Sequence, residues 1–217
     1  MKKILLLLII SSFLLGCNSK GHWQKYEIRN AFEISVSPEL ELRGESSVFN
    51  EYMDDLRDDY NPKHIIDIGK SKLIFQPKGT DSLNESATED VTRILIAHIE
   101  IETNNFPKWN FKVNKQKQDE LNEYFKKETI NGLKKSPFKG NMIEWNPLEI
   151  GNVNGLSYIK ISYLSMIEGK KKYSETYQFL NTNEKVIISN TTNYSNKNKW
   201  IDIFEDVIKT FDFKVRK

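Results

Sequence analysis

Cysteine occurs once in the 217 residues, at position 17, and histidine three times, at His22, His64 and His98. A single thiol makes no internal disulfide. No His-x-x-x-His or His-Glu-x-x-His spacing is present, and no other cysteines exist to complete a structural zinc site. No Gly-x-Ser-x-Gly elbow marks a serine nucleophile, although a serine–histidine–carboxylate trio scattered along the chain stays open. Gly151 and Gly155 lack the Gly-Lys-Ser/Thr ending of a phosphate-cradling loop and fit a hairpin instead. Asp54, Asp55, Asp58 and Asp59 fall at helical spacing without an inner glycine, which spreads their carboxylates over a solvent face rather than around calcium. Two basic groups stand out: Lys126-Lys127 with Lys134-Lys135, and Lys170-Lys171-Lys172. They read either as solvated lysines on a helix face and a turn or as contacts for anionic headgroups. Trp23, Trp109 and Trp145 fit core or rim packing. No catalytic residue, metal ligand or cofactor is expected, and the chain reads as a non-enzyme.

Lys2 and Lys3 precede an apolar run from Ile4 to Leu15, and Leu14-Leu15-Gly16-Cys17 closes it. A charged start, a short apolar stretch and a small residue before a cut form the secretory pattern. Twelve residues fall well short of the roughly 20 that span a bilayer. Leu14, Leu15 and Gly16 followed by Cys17 resemble the lipobox of bacterial lipoproteins. That resemblance implies signal-peptidase recognition at Leu14, Leu15 and Gly16, acylation of Cys17 and attachment to the membrane through it. It divides the chain into a signal peptide over 1–16, an acylated cysteine and short tether over 17–30, and one globular domain over 31–217. Bacterial lipoproteins carry two or three acyl chains, and at about 0.8 kcal/mol per buried methylene these hold a protein almost permanently. Loss of Lys2 and Lys3 with the signal peptide leaves 30 basic residues against 30 acidic. A neutral, exported domain has no overall electrostatic pull on nucleic acid. The expected location is the cell envelope, on the periplasmic side, or the outer face of the plasma membrane in a Gram-positive cell.

The elements that must position any site follow from period. Phe32-Glu33-Ile34-Ser35-Val36 alternates apolar and polar as a strand does, and Pro38 breaks it. Val48, Phe49, Tyr52, Met53 and Leu56 recur at helical spacing. Between His64 and Gln76, two apolar runs flank Gly69 as strand, turn and strand. Ile94 to Ile101, rich in branched residues, predicts a central strand that puts His98 on one face with Ile94 and Ile96 as a half-buried histidine. His22 and His64 are expected at the surface. A helix is predicted over 115–130, with Leu121, Tyr124, Phe125 and Thr129 on one face and Asn131-Gly132 as its stop. Asn141 to Asn193 reads as a meander of strands with turns at 151–155, 169–172 and 181–183. A last helix over 196–209 carries Trp200, Ile201, Phe204, Val207 and Ile208 on one stripe, and Phe211-Asp212-Phe213 returns to strand period. A sheet covered by a few amphipathic helices is an α+β fold.

Ala31 to Arg43 (AFEISVSPELELR), Ile74 to Gly79 (IFQPKG), Arg93 to Glu102 (RILIAHIEIE) and Trp200 to Phe213 (WIDIFEDVIKTFDF) stand in the order found in PsbP-like α/β/α sandwich proteins. The resemblance spans Ala31 to Phe213 and implies a central antiparallel sheet with helices on both faces. It also implies a role in binding or stabilising other macromolecules, with no residue role to carry over. The expected partner is a protein docked on a strand edge or an uncovered sheet face at the membrane surface. The alternative is carriage of a small apolar or lipid ligand in a pocket between helix and sheet.

Overall fold

Branched residues on both faces of Arg93–Glu100 make it an interior strand: Ile94, Ile96 and His98 are buried on one side, and Leu95, Ala97 and Ile99 are half-buried on the other. The computed structural model describes residues 22–28, 32–43, 72–78, 92–100, 111–136, 139–180 and 184–213. Within them the strands are β1 (Gln24–Ile28), β2 (Phe32–Val36), β3 (Leu40–Arg43), β4 (Lys72–Pro77), β5 (Arg93–Glu100), β6 (Asn141–Val153), β7 (Leu156–Ile167), β8 (Lys170–Leu180), β9 (Glu184–Asn193) and β10 (Asp212–Phe213). The helices are α1 (Lys115–Lys135) and α2 (Lys197–Lys209), the latter entered through a 3-10 turn at Tyr194–Asn196.

Seven strands form one antiparallel sheet in the order β3-β4-β5-β9-β8-β7-β6. The chain leaves β5, builds α1 and the outer strand β6, then meanders back so that β9 pairs with β5 along its whole length. A small sheet, β1-β2-β10, joins the first described strand to the last. Phe32, Ile34 and Val36 of β2 pack with Trp200, Phe204, Val207 and Ile208 of α2 against Ile96, Ile188 and Phe179 of the large sheet. On the opposite face, Ile159, Ile161 and Leu180 meet Leu121 and Phe125 of α1. The protein is therefore an α+β sandwich: a large antiparallel sheet with α2 and the small sheet on one face and α1 on the other.

Several expectations hold. The strand over 32–36 buries alternate residues, the meander comprises β6 to β9, and α2 buries Trp200, Phe204, Val207 and Ile208, with Ile201 half-buried. Others need correction. α1 continues to Lys135, five residues beyond the predicted end, because Gly132 sits at an exposed helical position and does not stop it, while Leu133 one residue later is buried. Ser136 ends the helix in an extended conformation that the following Pro137 favours. Tyr124, predicted for the packed face, is 58% exposed, and Leu121, Phe125, Thr129 and Leu133 form that face instead. Strand β1 lies inside the stretch expected as tether and pairs with β2 from Gln24 to Ile28. The turns are tight, at Asn154-Gly155 and Glu168-Gly169, and Gly151 belongs to β6. The helix over Val48 to Leu56, the run beginning at His64, the turn at 181–183, Trp109 and the four aspartates lie outside the described residues.

Candidate functional site

A buried group of charged and hydroxyl side chains lies on the α2 face of the sheet, toward β7 and β8. Cross-strand register puts it there, because Lys160 pairs with Tyr177, Ser162 with Glu175, and Glu175 with Asn190. Lys160 Nζ stands 3.1 Å from Glu175 Oε1 and 3.9 Å from Glu205 Oε1 of α2. Glu175 is 1% exposed and Lys160 15%. Tyr173 Oη donates to Glu175 Oε2 at 3.0 Å, and Tyr177 is also hydrogen-bonded to Glu175. The ammonium of Lys160 lies 5.5 Å from the centre of the Tyr177 ring, within cation–π range. Asn146 of β6 donates to Ser162 Oγ at 2.9 Å, which in turn bonds Tyr173. The Tyr158 ring covers Gly151, where a Cβ would overlap the phenol, so the ring could not keep this position over a larger residue.

Burial and the neighbouring Glu175 carboxylate push the Tyr173 and Tyr177 hydroxyls well above their ordinary value of 10.0. Burial also raises Tyr158. For Lys160, burial works to lower the ammonium, but the Glu175 carboxylate outweighs it and the net shift is upward. At neutral pH the cluster thus holds an ammonium and neutral phenols arranged around a carboxylate. Tyr173 donates to Glu175 and Lys160 pairs with it by charge, which ties β7 to β8, while the longer contact of Lys160 with Glu205 reaches α2.

Asn190 of β9 lies beside Glu175, fully buried, with neither side-chain polar atom in hydrogen-bond contact among the described residues. Its strand neighbours Thr192 and Ile188 share that face, and Thr192 meets Thr92 hydroxyl to hydroxyl at 2.8 Å. His98, with Ile94 and Ile96 as expected, is only 5% exposed and meets the edge of Phe32 at 5.2 Å between ring centres.

A cavity of about 510 Å³ lies where the small sheet meets the large one, lined by His22, Tyr26, Val36, Leu40, Leu42 and Lys78 among others. The described residues around it come from strands and their turns, not from a helix.

Strand β6 is the outer strand of the large sheet, and α1 occupies its free backbone: Asn122 Oδ1 accepts from Leu148 N at 2.9 Å, and Gln118 Nε2 donates to Leu148 O at 2.9 Å. Asn122 Oδ1 also accepts from the Trp145 indole at 2.9 Å. Register breaks at Met142/Glu144 and Asn146/Glu149, together with Pro147, blunt the same edge further. A strand edge was an expected docking surface; side chains and bulges close this one at its centre.

Of the residues singled out in the sequence, Leu14, Leu15, Gly16, Cys17 and His64 lie outside the described set. His22 is exposed at the cavity rim. Trp23 is exposed and Trp145 half-buried. Lys134-Lys135 and Lys170-Lys171, separate in sequence, are brought to one end of the sheet, since Gly140 N bonds Leu133 O at 2.9 Å and a Cβ on Gly140 would touch both Leu133 and Ile167; Lys126-Lys127 lie about two turns back along α1. Lys172 departs from its group, being buried and bonded to Asn193. The Lys160–Glu175 cluster escaped sequence reading because its members lie on separate strands and become neighbours only through register.

No family model matches the chain, and no curated protein matches it. Solved structures do. A cyanobacterial PsbP protein, CyanoP from Synechocystis sp. PCC 6803, aligns over 92% of this chain and 98% of its own, at 10% identity and TM-score 0.52. LpqN of Mycobacterium tuberculosis, described as involved in cell envelope biogenesis, aligns over 89% of this chain and 92% of its own, at 9% identity and TM-score 0.47. A Bacteroides thetaiotaomicron protein aligns over 89% of this chain at 9% identity and TM-score 0.45; the chain spans about half of that protein, 49%. The CyanoP alignment shows the fold, a PsbP-like sandwich.

Proposed function

We propose that this chain is a lipid-anchored protein of the bacterial cell envelope, attached through Cys17, that binds or stabilises a protein partner at the membrane surface without catalysing a reaction. The observation that carries the reading is the segment from Lys2 to Cys17, a secretory pattern ending in Leu14-Leu15-Gly16-Cys17. The fold supports it by analogy, since CyanoP has the same architecture, although a fold hosts many functions. The Lys160–Glu175 cluster supports it as well. Its donors are spent on an internal carboxylate, and its phenols and ammonium are pushed away from neutral pH rather than toward it.

A second reading, carriage of a small ligand, draws on the cavity of about 510 Å³, a size that fits a small molecule. It is half open, and His22, Gln24, Glu41 and Lys78 line it beside Val36, Leu40 and Leu42, which suits an amphipathic ligand better than a wholly apolar one. In-cell cross-linking of the full-length protein, with Cys17→Ala as the unanchored control, separates the two. One protein recovered in fixed ratio only with the anchored form supports the partner reading. Lipid or a small molecule travelling with the folded chain, with no protein recovered, replaces it by the carrier.

A further inference from the structure

We propose that one end of the sandwich is a docking surface for anionic phospholipid headgroups and that the domain stands on the bilayer with that end down. The proposal rests on the anchoring of Cys17 for its geometry, but the surface itself is read from the described residues.

Strand register defines the end. The turn after β7 carries Glu168 and Gly169, and Lys170 and Lys171 pair with Ile167 and Met166. Met166 pairs in turn with Asn141, next to Gly140 and Lys139, which return from the last turn of α1 with Lys134 and Lys135. β9 finishes at this end, since Asn193 pairs with Lys172. β5 therefore starts there, β4 ends there at Pro77 and Lys78, and β3 begins there at Leu40. The N-terminus of α2 is held at the same end by the ion pair of Lys199 with Glu39 at 3.1 Å.

Lys78, Lys134, Lys135, Lys139, Lys170 and Lys171 are exposed at this end, and none of them makes an ion pair among the described residues. Glu168 is the acidic residue of the β7–β8 turn. At the start of α1, toward the other end, the lysines are neutralised locally: Lys115 by Asp119 and Lys117 by Glu120. Lys209, at the end of α2, is neutralised by Asp206. Of the eight exposed lysines without an ion pair among the described residues, six thus stand together at this end; Lys112 before α1 and Lys127 in its middle are the other two.

The chain enters the domain on that side too. Gln24 pairs with Val36, and Val36 leads through Ser37 to Leu40, so His22 lies at the lysine-bearing end. Cys17 is five positions before His22, a reach of at most about 17 Å at about 3.5 Å per residue. An acyl chain on Cys17 therefore brings this end within contact of the headgroups, where each lysine contributes about fivefold in attraction to an anionic surface. Phosphodiester headgroups are the matching chemistry: negative, dense and laterally mobile.

The test uses the full-length protein in vesicles of phosphatidylcholine with or without about a third phosphatidylglycerol. Cys17 is the only native thiol and is consumed by acylation, so Lys171→Cys and Lys112→Cys each carry one dye, the second on the exposed residue beside the start of α1. Headgroup-labelled quencher lipids should quench the Lys171→Cys dye at least about fivefold more than the Lys112→Cys dye in the anionic vesicles. The difference should vanish without phosphatidylglycerol, at 0.5 M salt, or in a Lys134→Glu/Lys170→Glu background, and should persist in a Lys117→Glu/Lys209→Glu background. Equal quenching at both positions, or quenching indifferent to lipid charge, overturns the proposal. Intact mass separates this from the anchor: an acylated protein without charge-dependent orientation retains the anchor and loses the surface. If the mass shows no acyl group, the anchor fails, and flotation of the unanchored chain with anionic vesicles decides the surface alone.

Discussion

Lys160 and Glu175 form an ion pair at 3.1 Å in which the carboxylate is almost wholly buried. A buried carboxylate deprived of its cation is far costlier than an apolar pair of similar volume. Lys160→Met should destabilise the fold by about 3 kcal/mol, and Lys160→Met/Glu175→Leu should recover most of that loss in urea titrations; equal losses for both variants would show that the pair contributes packing rather than charge. The three tyrosines set a pH limit with a definite sign. Tyr158, Tyr173 and Tyr177 have hydroxyls raised above 10.0 in the fold, so unfolding lets them ionise more readily. Their contribution is complete below about pH 10 and drains as pH rises past it. Lys160, raised above 10.5, acts in the same direction. The melting temperature should therefore hold steady through neutral pH and fall above about pH 10, and Tyr177→Phe should shallow that alkaline fall; an unchanged slope would rule out Tyr177 as a source. None of this chemistry was legible in the sequence, where Lys160 and Glu175 are fifteen positions apart on different strands and nothing local marks them. His98 was legible, because a strand's two-residue period alone assigns its face.

Elements were readable where their own period or punctuation defined them. Asn154-Gly155 is a turn by residue type, and the structure adds why asparagine is suited: its side chain donates to Lys209 O at 3.1 Å and Phe211 O at 2.9 Å, taking up carbonyls at the end of α2. Glu168-Gly169 makes the same kind of turn with a less suitable first residue, since Glu168 sits at φ 49° where asparagine is at home. Glu168→Asn should stabilise the protein by about 0.5–1 kcal/mol, measured as an upward shift of the urea midpoint at unchanged slope; no shift would mean that the turn's strain is already relieved by its neighbours. Helix α1 was read too short because Gly132 looked like a terminator, whereas the tertiary contact of Leu133 carries the helix past it. Its role at the sheet edge was hidden for a related reason. Asn122 and Gln118 look like solvent-facing polar residues until β6 arrives beside them with an unpaired peptide group. Asn122→Ala should cost about 1–3 kcal/mol, because it leaves Leu148 N–H and the Trp145 indole without their acceptor, and should promote self-association through the opened edge. A monomer of unchanged stability by sedimentation and melting would show that the edge does not need this cover.

The whole molecule closes on itself through its two ends, and this was the part of the architecture least visible in the chain. Strand periods announced β2 and the segment after α2, but not that they are neighbours, since pairing between residues so far apart leaves no local signal. In the structure, Thr210 Oγ1 accepts from Ser35 N at 2.8 Å, with its single proton shared between Val207 O at 2.7 Å and Ser35 O at 3.1 Å, and Asp212 and Phe213 pair with Glu33 and Phe32. Phe211 locks the junction: its ring is 5.5 Å from Phe32 of the small sheet and 4.5 Å from Phe179 of the large one, and it is fully buried. One side chain thus couples the small sheet, and with it the segment that enters from Cys17, to the core under α2. Phe211→Ala should cost about 3–5 kcal/mol, and should do so in a single cooperative transition, because both sheets lose the same contact at once. Tryptophan fluorescence, dominated on this side by buried Trp200, and far-ultraviolet circular dichroism should therefore shift together in denaturant. Separation of the two signals would mean that the small sheet leaves first and that β1 and β2 detach without unfolding the core under α2.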